Sequence, residues 1–134
     1  MTTLRIQSGL PADLEDLAKR TIGALLAVHR ELGSGMSEGV YAAATRVELG
    51  VRDIPFESEK TVPVRYRGKF LCHQRIDLFL DGRLVVELKS VDTLHPVHFA
   101  QVVSYLRLTG ARLGLLVNFN VPILAQGGVR RVIL

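Results

Sequence analysis

The sequence predicts an α/β fold in which helices flank a mixed β-sheet. Three observations predict it: two stretches with helical periodicity come first, three strand-like stretches follow, and a third helical stretch then precedes a continuous apolar run. This order indicates an antiparallel meander followed by a crossover helix. A length of 134 residues fits one domain spanning 1–134, in which we expect residues 1–10 to form a flexible extension.

Two helices open the predicted order. Over residues 13–32, apolar side chains recur at spacings of three and four, which is the period of one helical face. Gly33 follows as a helix stop. Ser37 is then placed to cap a second helix, which we expect to reach Leu49 and to end at Gly50.

Three strands come next. Apolar residues alternate with others over residues 61–67, and Pro63 places this strand at a sheet edge because proline cannot donate to a central ladder. Residues 71–80 and 84–89 form two further strands joined at Asp81-Gly82, a dipeptide typical of hairpin turns. These strands form the predicted meander.

The remaining segments complete the sheet and its second layer. A third helix is expected over residues 96–108 and is closed by Gly110. The near-continuous apolar run over residues 113–119 suits a buried strand, and residues 129–134 are the candidate for a last one. The fold is therefore a mixed sheet with helices on its faces.

Charge is distributed unevenly along the chain. Residues 1–60 carry a net charge of −2 and residues 61–134 a net charge of +6, a basic balance compatible with a polyanionic partner such as nucleic acid. The single cysteine, Cys72, excludes an internal disulfide, and the start of the sequence does not resemble a secretory leader, so we expect a cytoplasmic protein. The longest purely apolar stretch, residues 24–28, is too short to cross a bilayer, so no membrane partner is expected.

The hairpin carries the candidate chemistry. Glu87 and Lys89 are two residues apart and leave the same face of a strand, while Asp77 precedes them on the partner strand. Two carboxylates form a hard oxygen site of the kind Mg²⁺ prefers, and a neighbouring ammonium group can orient or activate an attacking water. The plain alternative for Glu87 and Lys89 is an ion pair on a half-exposed strand.

The register of the hairpin decides whether these groups meet. A two-residue turn would place Asp77 opposite Val86, pointing away from Glu87. A three-residue loop or a bulge places Asp77 opposite Glu87. It also aligns one apolar face of the first strand with one of the second, comprising Ile76, Leu78 and Leu80 with Leu84, Val86 and Leu88. The apolar alignment predicts the second register.

Three motifs in order carry a resemblance to a known family. Asp77 followed by Glu87-x-Lys89, and then Gln101-x-x-x-Tyr105 on the next helix, resembles the core of the PD-(D/E)xK nuclease superfamily, with Ile76 where the name has proline. The upstream Gly35-x-x-Glu38-x-x-Tyr41 is similar to the signature of its GxxExxY family. The resemblance implies a restriction-endonuclease-like αββαβ core.

The resemblance also implies a role for each matching residue. Asp77, Glu87 and the backbone carbonyl of Leu88 would bind the metal, and Lys89 would position or deprotonate the water. Glu38 would be a further metal or water contact. Gln101 and Tyr105 would support the site or touch the phosphate backbone, the alternative being a polar helix edge with a packed tyrosine. Gly35 and Tyr41 are expected to have structural roles.

The implied reaction is the hydrolysis of phosphodiester bonds in nucleic acid, with Mg²⁺ or Mn²⁺ as cofactor and with DNA favoured over RNA. Two other hypotheses stay open. One is a non-catalytic module that keeps the fold to bind nucleic acid or another partner, and the other is a small-molecule hydrolase with a closed pocket. A chain this short offers little further surface for target selection, so a homodimer or a partner subunit is also expected.

Two smaller patterns have both a functional and a structural interpretation. Arg65, Arg67 and Lys69 alternate along and beyond the first predicted strand, and we expect a basic stripe on one face that contacts phosphates or else keeps an edge strand soluble. His95, His98 and Cys72-His73 lack the spacing of zinc sites, so zinc is disfavoured. A lone cysteine in a strand is expected to be buried.

Overall fold

The computed structural model describes residues 8–134, and these residues form three helices and five strands. In chain order the elements are α1 (Ala12–Leu32), α2 (Glu38–Val51), β1 (Glu57–Tyr66), β2 (Lys69–Leu80), β3 (Leu84–Lys89), α3 (Pro96–Thr109), β4 (Leu113–Asn118) and β5 (Val129–Ile133). Of the extension expected over residues 1–10, residues 1–7 lie outside the described residues. No helix within residues 8–134 combines the length and the apolar character needed to cross a membrane.

The strands form one mixed sheet in the order β1-β2-β3-β4-β5. β3 and β4 are parallel, and α3 makes the crossover between them, whereas the other neighbouring strands are antiparallel. α1 and α2 pack on one face of the sheet and α3 packs on the other. The predicted α/β fold class is confirmed, and the candidate last strand is present as β5.

The two faces of the sheet carry separate apolar clusters. Alternate residues of the central strands, such as Leu80, pack against α1 residues such as Leu25 on the first face. On the second face, Val85 and its neighbours pack beneath α3. The helix approaches closely there because β4 carries Gly114, where a Cβ atom would come within 2.5 Å of Val102 Cγ1. A glycine therefore sets the distance between α3 and the sheet.

Several elements extend beyond their predicted ends, and α2 and β1 show why. α2 continues past Gly50, because the amide of Arg52 still donates to the carbonyl of Glu48 at 3.1 Å. β1 begins at Glu57, where pairing with Phe79 continues the ladder despite the lack of apolar alternation in the sequence. Backbone hydrogen bonds, within the helix for α2 and to β2 for β1, explain both differences, because the apolar periodicity of a sequence does not reveal them.

The hairpin of β1 and β2 extends beyond the rest of the sheet. β2 has 12 residues and β3 has 6, and the ladder between them runs from Leu78 to Leu80. Residues 69–75 of β2 pair with β1 and are exposed. We call residues 60–75 the arm. Cys72 lies in the arm and is exposed, so the expectation of a buried cysteine is wrong.

The tip of the arm distributes its basic residues over both faces. The register shifts between Val64 and Arg65, and Tyr66 then pairs with Lys69. Paired residues share a face while neighbours along a strand alternate, so Arg65 and Lys69 lie on opposite faces. Arg67 occupies the turn, with a φ of 50°. The expected basic stripe on one face is therefore wrong, and the bulge and the turn are the reason.

Candidate active site

The predicted register of the β2–β3 hairpin is confirmed. Leu80 pairs with Leu84, so residues 81–83 form a three-residue loop between the strands. Counting on from this pairing brings Asp77 opposite Glu87, at the point where the ladder between the two strands has ended. The two carboxylates that the sequence singled out therefore face each other across the hairpin.

Each of these carboxylates hydrogen bonds to the backbone of the opposite strand. The Asp77 amide donates to Glu87 Oε1 at 3.0 Å, and the Leu88 amide donates to Asp77 Oδ2 at 2.9 Å. Side chains thus satisfy two backbone amides that an antiparallel ladder would otherwise pair with carbonyls. β2 thus holds the Glu87 carboxylate, and β3 holds the Asp77 carboxylate.

Asp77 also marks an interruption in β2. Ile76 packs in the cluster beneath α3, whereas Leu78, two residues on, packs in the cluster beneath α1 and α2. The expected alignment of Ile76 with the other apolar face is therefore wrong, because the side-chain alternation breaks at Asp77. Glu59 lies opposite in β1 and has a φ of 52°, a conformation that residues other than glycine seldom adopt. The regular geometry of both strands is therefore interrupted at the carboxylate site.

Glu87 is a buried carboxyl group, with 3% of the residue exposed. Its pKa is raised well above the ordinary value, first because burial disfavours the charged form and second because of the negative charge of Asp77. The Asp77 amide and the charge of Lys89 act in the opposite direction. A cation between the carboxylates would remove the repulsion between them, so this donor pair fits a hard divalent ion.

Lys89 follows at the end of β3. It is half-buried and pairs with Asn118 of β4, and its carbonyl accepts a hydrogen bond from the Phe119 amide at 2.9 Å. Its side chain lines an open cavity of about 520 Å³ together with α3 residues that include Gln101 and Ser104. Lys89 therefore borders open space, and its charge acts on Glu87.

The loop between α1 and α2 presents Glu38 at the same end of the sheet. Gly35 has a φ of 99°, so glycine is the residue suited to this position. The Tyr41 hydroxyl donates to the Gly33 carbonyl, and its ring stacks on Phe119 with centroids 4.3 Å apart. Gly35 and Tyr41 therefore have structural roles, as expected, and they hold the loop that precedes Glu38.

Glu38 itself begins α2. Its pKa is raised, first by partial burial and then by the charge of Asp77, while Lys89 lowers it. Glu38 is thus within electrostatic reach of both residues. Within residues 8–134, however, no three His, Cys, Asp or Glu side chains lie close enough to hold a metal ion between them. The structure brings Asp77 and Glu87 together, and it places Glu38 nearby without joining it to them in one cluster.

Gln101 and Tyr105 come from α3, one turn apart. Tyr105 is buried, and the pKa of its hydroxyl is raised, first by burial and then by the negative charges of Glu87 and Asp77. Gln101 is half-buried, and hydrogen bonding between its side chain and Tyr105 lowers the pKa of the Tyr105 hydroxyl. Both residues therefore lie on the side of α3 that faces the carboxylates.

His98 lines the same cavity as Lys89, whereas the three basic residues of the arm tip lie apart from the carboxylates. His98 Nδ1 accepts a hydrogen bond from the His95 amide at 3.0 Å, so the two histidines cap the start of α3. Lys69, at the tip of the arm, is eight strand residues from Asp77, or roughly 26 Å at the usual strand rise. Arg65 and Arg67 also belong to the tip. The structure does not bring these three basic residues to the carboxylates.

Two residues beside the site escaped the sequence analysis. The Ser90 hydroxyl donates to the Met36 carbonyl at 2.7 Å and ties the α1–α2 loop to the end of β3. Ser104 lines the Lys89 cavity. Its position three residues after Gln101, on the same helical face, was the available signal. Ser90, next to Lys89, had no comparable signal, because its partner is a backbone carbonyl far away in sequence.

The fold and this site together define a class of protein. A mixed sheet with a crossover helix bears two facing carboxylates, followed by a lysine on the strand of Glu87, and the two carboxylates are oxygen donors suited to a divalent metal. A family model described as the PD-(D/E)XK nuclease superfamily matches residues 15–132, and the chain belongs to this superfamily. Its members are generally nucleases and typically use divalent metals. Neither a curated protein nor a solved structure matches the chain.

Proposed function

We propose that this protein is a nuclease that hydrolyses phosphodiester bonds of DNA with Mg²⁺ or Mn²⁺ as cofactor, and that it belongs to the GxxExxY family of the superfamily. The observation that carries the proposal is the reciprocal hydrogen bonding of Asp77 and Glu87 beside Lys89. A structural ion pair on a strand would not require two carboxylates to be held against each other, with one of them buried.

The metal would be held by Asp77, Glu87 and the backbone carbonyl of Leu88, with Glu38 as a further metal or water contact. Each of the first two carboxylates has one oxygen engaged by a backbone amide, which leaves its orientation fixed before any ion arrives. The ion, when bound, offsets the charge that develops on the phosphoryl oxygens. Water would fill the other positions, as is usual for Mg²⁺.

The other residues act on the substrate and on water. Lys89, at the edge of the open cavity, would position or deprotonate the attacking water. Gln101 would contact the phosphate backbone from α3, and Tyr105 would support the site from beneath, since it is buried. These six residues, Asp77, Glu87, Lys89, Glu38, Gln101 and Tyr105, form the proposed catalytic set.

The arm provides the proposed contact with the rest of the nucleic acid. Arg65, Arg67 and Lys69 surround its tip, so the tip can meet a phosphate backbone from either face. A homodimer or a partner subunit would extend this small surface. A cytoplasmic location is proposed as well, because Cys72 is an exposed thiol, which suits a reducing compartment.

The test combines metal binding and cleavage. Calorimetry measures Mg²⁺ and Mn²⁺ binding to the unchanged protein and to Asp77→Asn, and the same samples are incubated with DNA and with RNA. The control is Asp53→Asn, the same chemical change at an exposed position whose φ of 54° asparagine tolerates. We expect metal binding and metal-dependent cleavage in the unchanged protein and the control, and loss of both in Asp77→Asn.

The basic tip also favours the second candidate, a non-catalytic module that binds nucleic acid. That protein would bind DNA equally well with a metal chelator present, and Asp77→Asn would not change its affinity. Tight binding without metal dependence and without cleavage would therefore replace the nuclease proposal with this one.

A further inference from the structure

A second cavity lies beside the proposed active site, between the arm and α3. It has a volume of about 410 Å³ and is open to solvent on one side. Its lining comes from both elements and includes Val64, Gln74, Gln101, Ser104, Tyr105 and Leu108. The proposed catalytic chemistry, centred on Asp77, Glu87 and Lys89, leaves this space unexplained.

The lining combines apolar walls with amide groups. Val64 and Leu108 contribute aliphatic surface, and the buried Tyr105 contributes the floor. Gln74 and Gln101 each carry a side-chain amide that can both donate and accept a hydrogen bond. A nucleobase is complementary to this lining, because it has a flat apolar body and hydrogen-bond donors and acceptors along its edge. The cavity volume also lies within the usual range for small-ligand sites.

The cavity adjoins the one that Lys89 lines. Gln101 and Ser104 line both spaces, so the second cavity lies next to the proposed phosphate position. Arg107 lines the second cavity as well and supplies a positive charge for a neighbouring phosphate. A strand whose phosphate lies at Lys89 can therefore place an adjacent base beside Gln74.

We propose that this cavity binds an unstacked nucleobase next to the scissile phosphate, which makes single-stranded or locally unpaired DNA the preferred substrate. The proposal rests on the proposed nuclease function. A base within a duplex is stacked and paired, and reaching the cavity would require it to leave the stack at a free-energy cost. A single strand avoids that cost, so the cavity selects unpaired nucleotides.

The test uses oligo(dT), its duplex with oligo(dA), and an oligo(dT) carrying one abasic position at each site in turn. Binding is measured by fluorescence anisotropy with a metal chelator present, and cleavage is measured with Mg²⁺. We expect the duplex to bind more weakly and one abasic position beside the cut to raise KM about tenfold, the size typical of one base contact. The kcat should change less.

Two variants and one control test the cavity itself. Gln74→Ala removes an exposed amide, and Leu108→Ala removes part of a wall with a residue that favours helices, so neither change threatens folding. Thr61→Ala is the control, since Thr61 is exposed in the same arm and pairs with Arg75, one residue from Gln74 and so on the opposite face. Intact and abasic strands should differ in KM and in affinity for the unchanged protein and for the control. We expect each of the two variants to abolish this difference.

The outcomes separate this proposal from the nuclease proposal. If the protein cleaves nothing but still binds intact strands better than abasic ones through Gln74, the nuclease proposal fails and the base site stands. If it cleaves duplex and single strand alike, and neither abasic positions nor Gln74→Ala change KM or affinity, the base site is overturned while the nuclease proposal stands.

Discussion

The two ends of β2 differ in burial and in their pairing with β3 although they belong to one strand. The inner end, from Leu78 to Leu80, is buried and pairs with β3, and Leu78 and Phe79 pair with β1 as well. The outer end, over residues 69–75, pairs with β1 and is exposed. Asp77 stands at the boundary, where β2 leaves β3 and the side-chain alternation breaks. The comparison teaches that the carboxylate site forms where β2 and β3 stop pairing with each other. There, side chains replace carbonyls as acceptors.

The largest expected effect is on cleavage, and it comes from substituting Glu87, which lies opposite Asp77 where β2 and β3 separate. Glu87→Gln keeps an oxygen that can accept from the Asp77 amide, but removes the charge that a metal requires. Cleavage should fall by about a thousandfold, since a bound metal contributes several kcal/mol to the transition state. Thermal stability at neutral pH should rise, because a buried carboxylate with a raised pKa is removed.

Cleavage rates and melting curves of Glu87→Gln check both parts. Glu31→Gln, an exposed position in α1, is the control and should change neither quantity. A variant that lost activity and also melted earlier would show that Glu87 supports the fold rather than the chemistry.

The second prediction contrasts the same residue type at the two ends of β2. Leu80 is fully buried and Leu71 is 58% exposed. Leu80→Ala should lower the free energy of unfolding by about 2–5 kcal/mol through the cavity it leaves. Leu71→Ala should change it by less than about 0.5 kcal/mol. Urea denaturation of both variants measures the difference, and equal losses would mean that the arm packs against something in solution.

The third prediction concerns affinity at the outer end. Arg67→Ala at the arm tip should weaken DNA binding across all sequences and reduce the slope of log affinity against log salt by about one. Stability should not change, because Arg67 lies in an exposed turn. Anisotropy titrations over a range of salt concentrations test this. An unchanged slope would remove Arg67 from the interface, while an effect confined to one sequence would mean that it reads bases.

The smallest expected effect is a pH dependence away from β2, with a sign opposite to that of Glu87. Two hydrogen bonds from Arg131, at 2.8 and 2.6 Å, tie β5 to Glu15 of α1. Together with a hydrogen bond from the Ser8 hydroxyl, they lower the Glu15 pKa to about 2. This contribution to stability is present above pH 4.5 and is lost as the pH falls towards 2. Glu87, whose folded-state pKa is raised, contributes stability at low pH that is lost as the pH rises through that value.

Melting curves between pH 2 and pH 5 measure the Glu15 effect. Glu15→Gln should flatten the acid side of the stability profile and leave the neutral side nearly unchanged, since the pair is partly exposed. A profile unchanged by this substitution would show that other carboxylates control the acid transition.

The inner end of β2 was largely predictable from sequence, because its register follows from matching one apolar face to another. Leu80 opposite Leu84 then places Asp77 opposite Glu87 without further information. The face of Ile76 was predicted wrongly because strict alternation assumes a regular strand. The irregularity at Asp77 lies opposite Glu59, a non-glycine residue in a conformation that sequence does not signal.

The outer end was predictable only in part. Pro63 correctly placed β1 at the edge of the sheet. The exposure of Cys72 and the dispersal of the basic tip depend on where β3 stops and on a one-residue register shift. Both are properties of pairing between strands rather than of any one strand, and a shift of one residue reverses the face of every side chain beyond it.

The reciprocal hydrogen bonds of the carboxylates have one more consequence. The amide protons of Asp77 and Leu88 point at side-chain oxygens rather than at carbonyls. Drawing electron density from those oxygens, as an incoming cation does, weakens the two hydrogen bonds together. In a ¹H–¹⁵N NMR spectrum, the signals of these two amides should therefore be the first to shift, and should shift together, as Mg²⁺ is added. Metal binding at the hairpin can thus be followed by NMR in the unchanged protein.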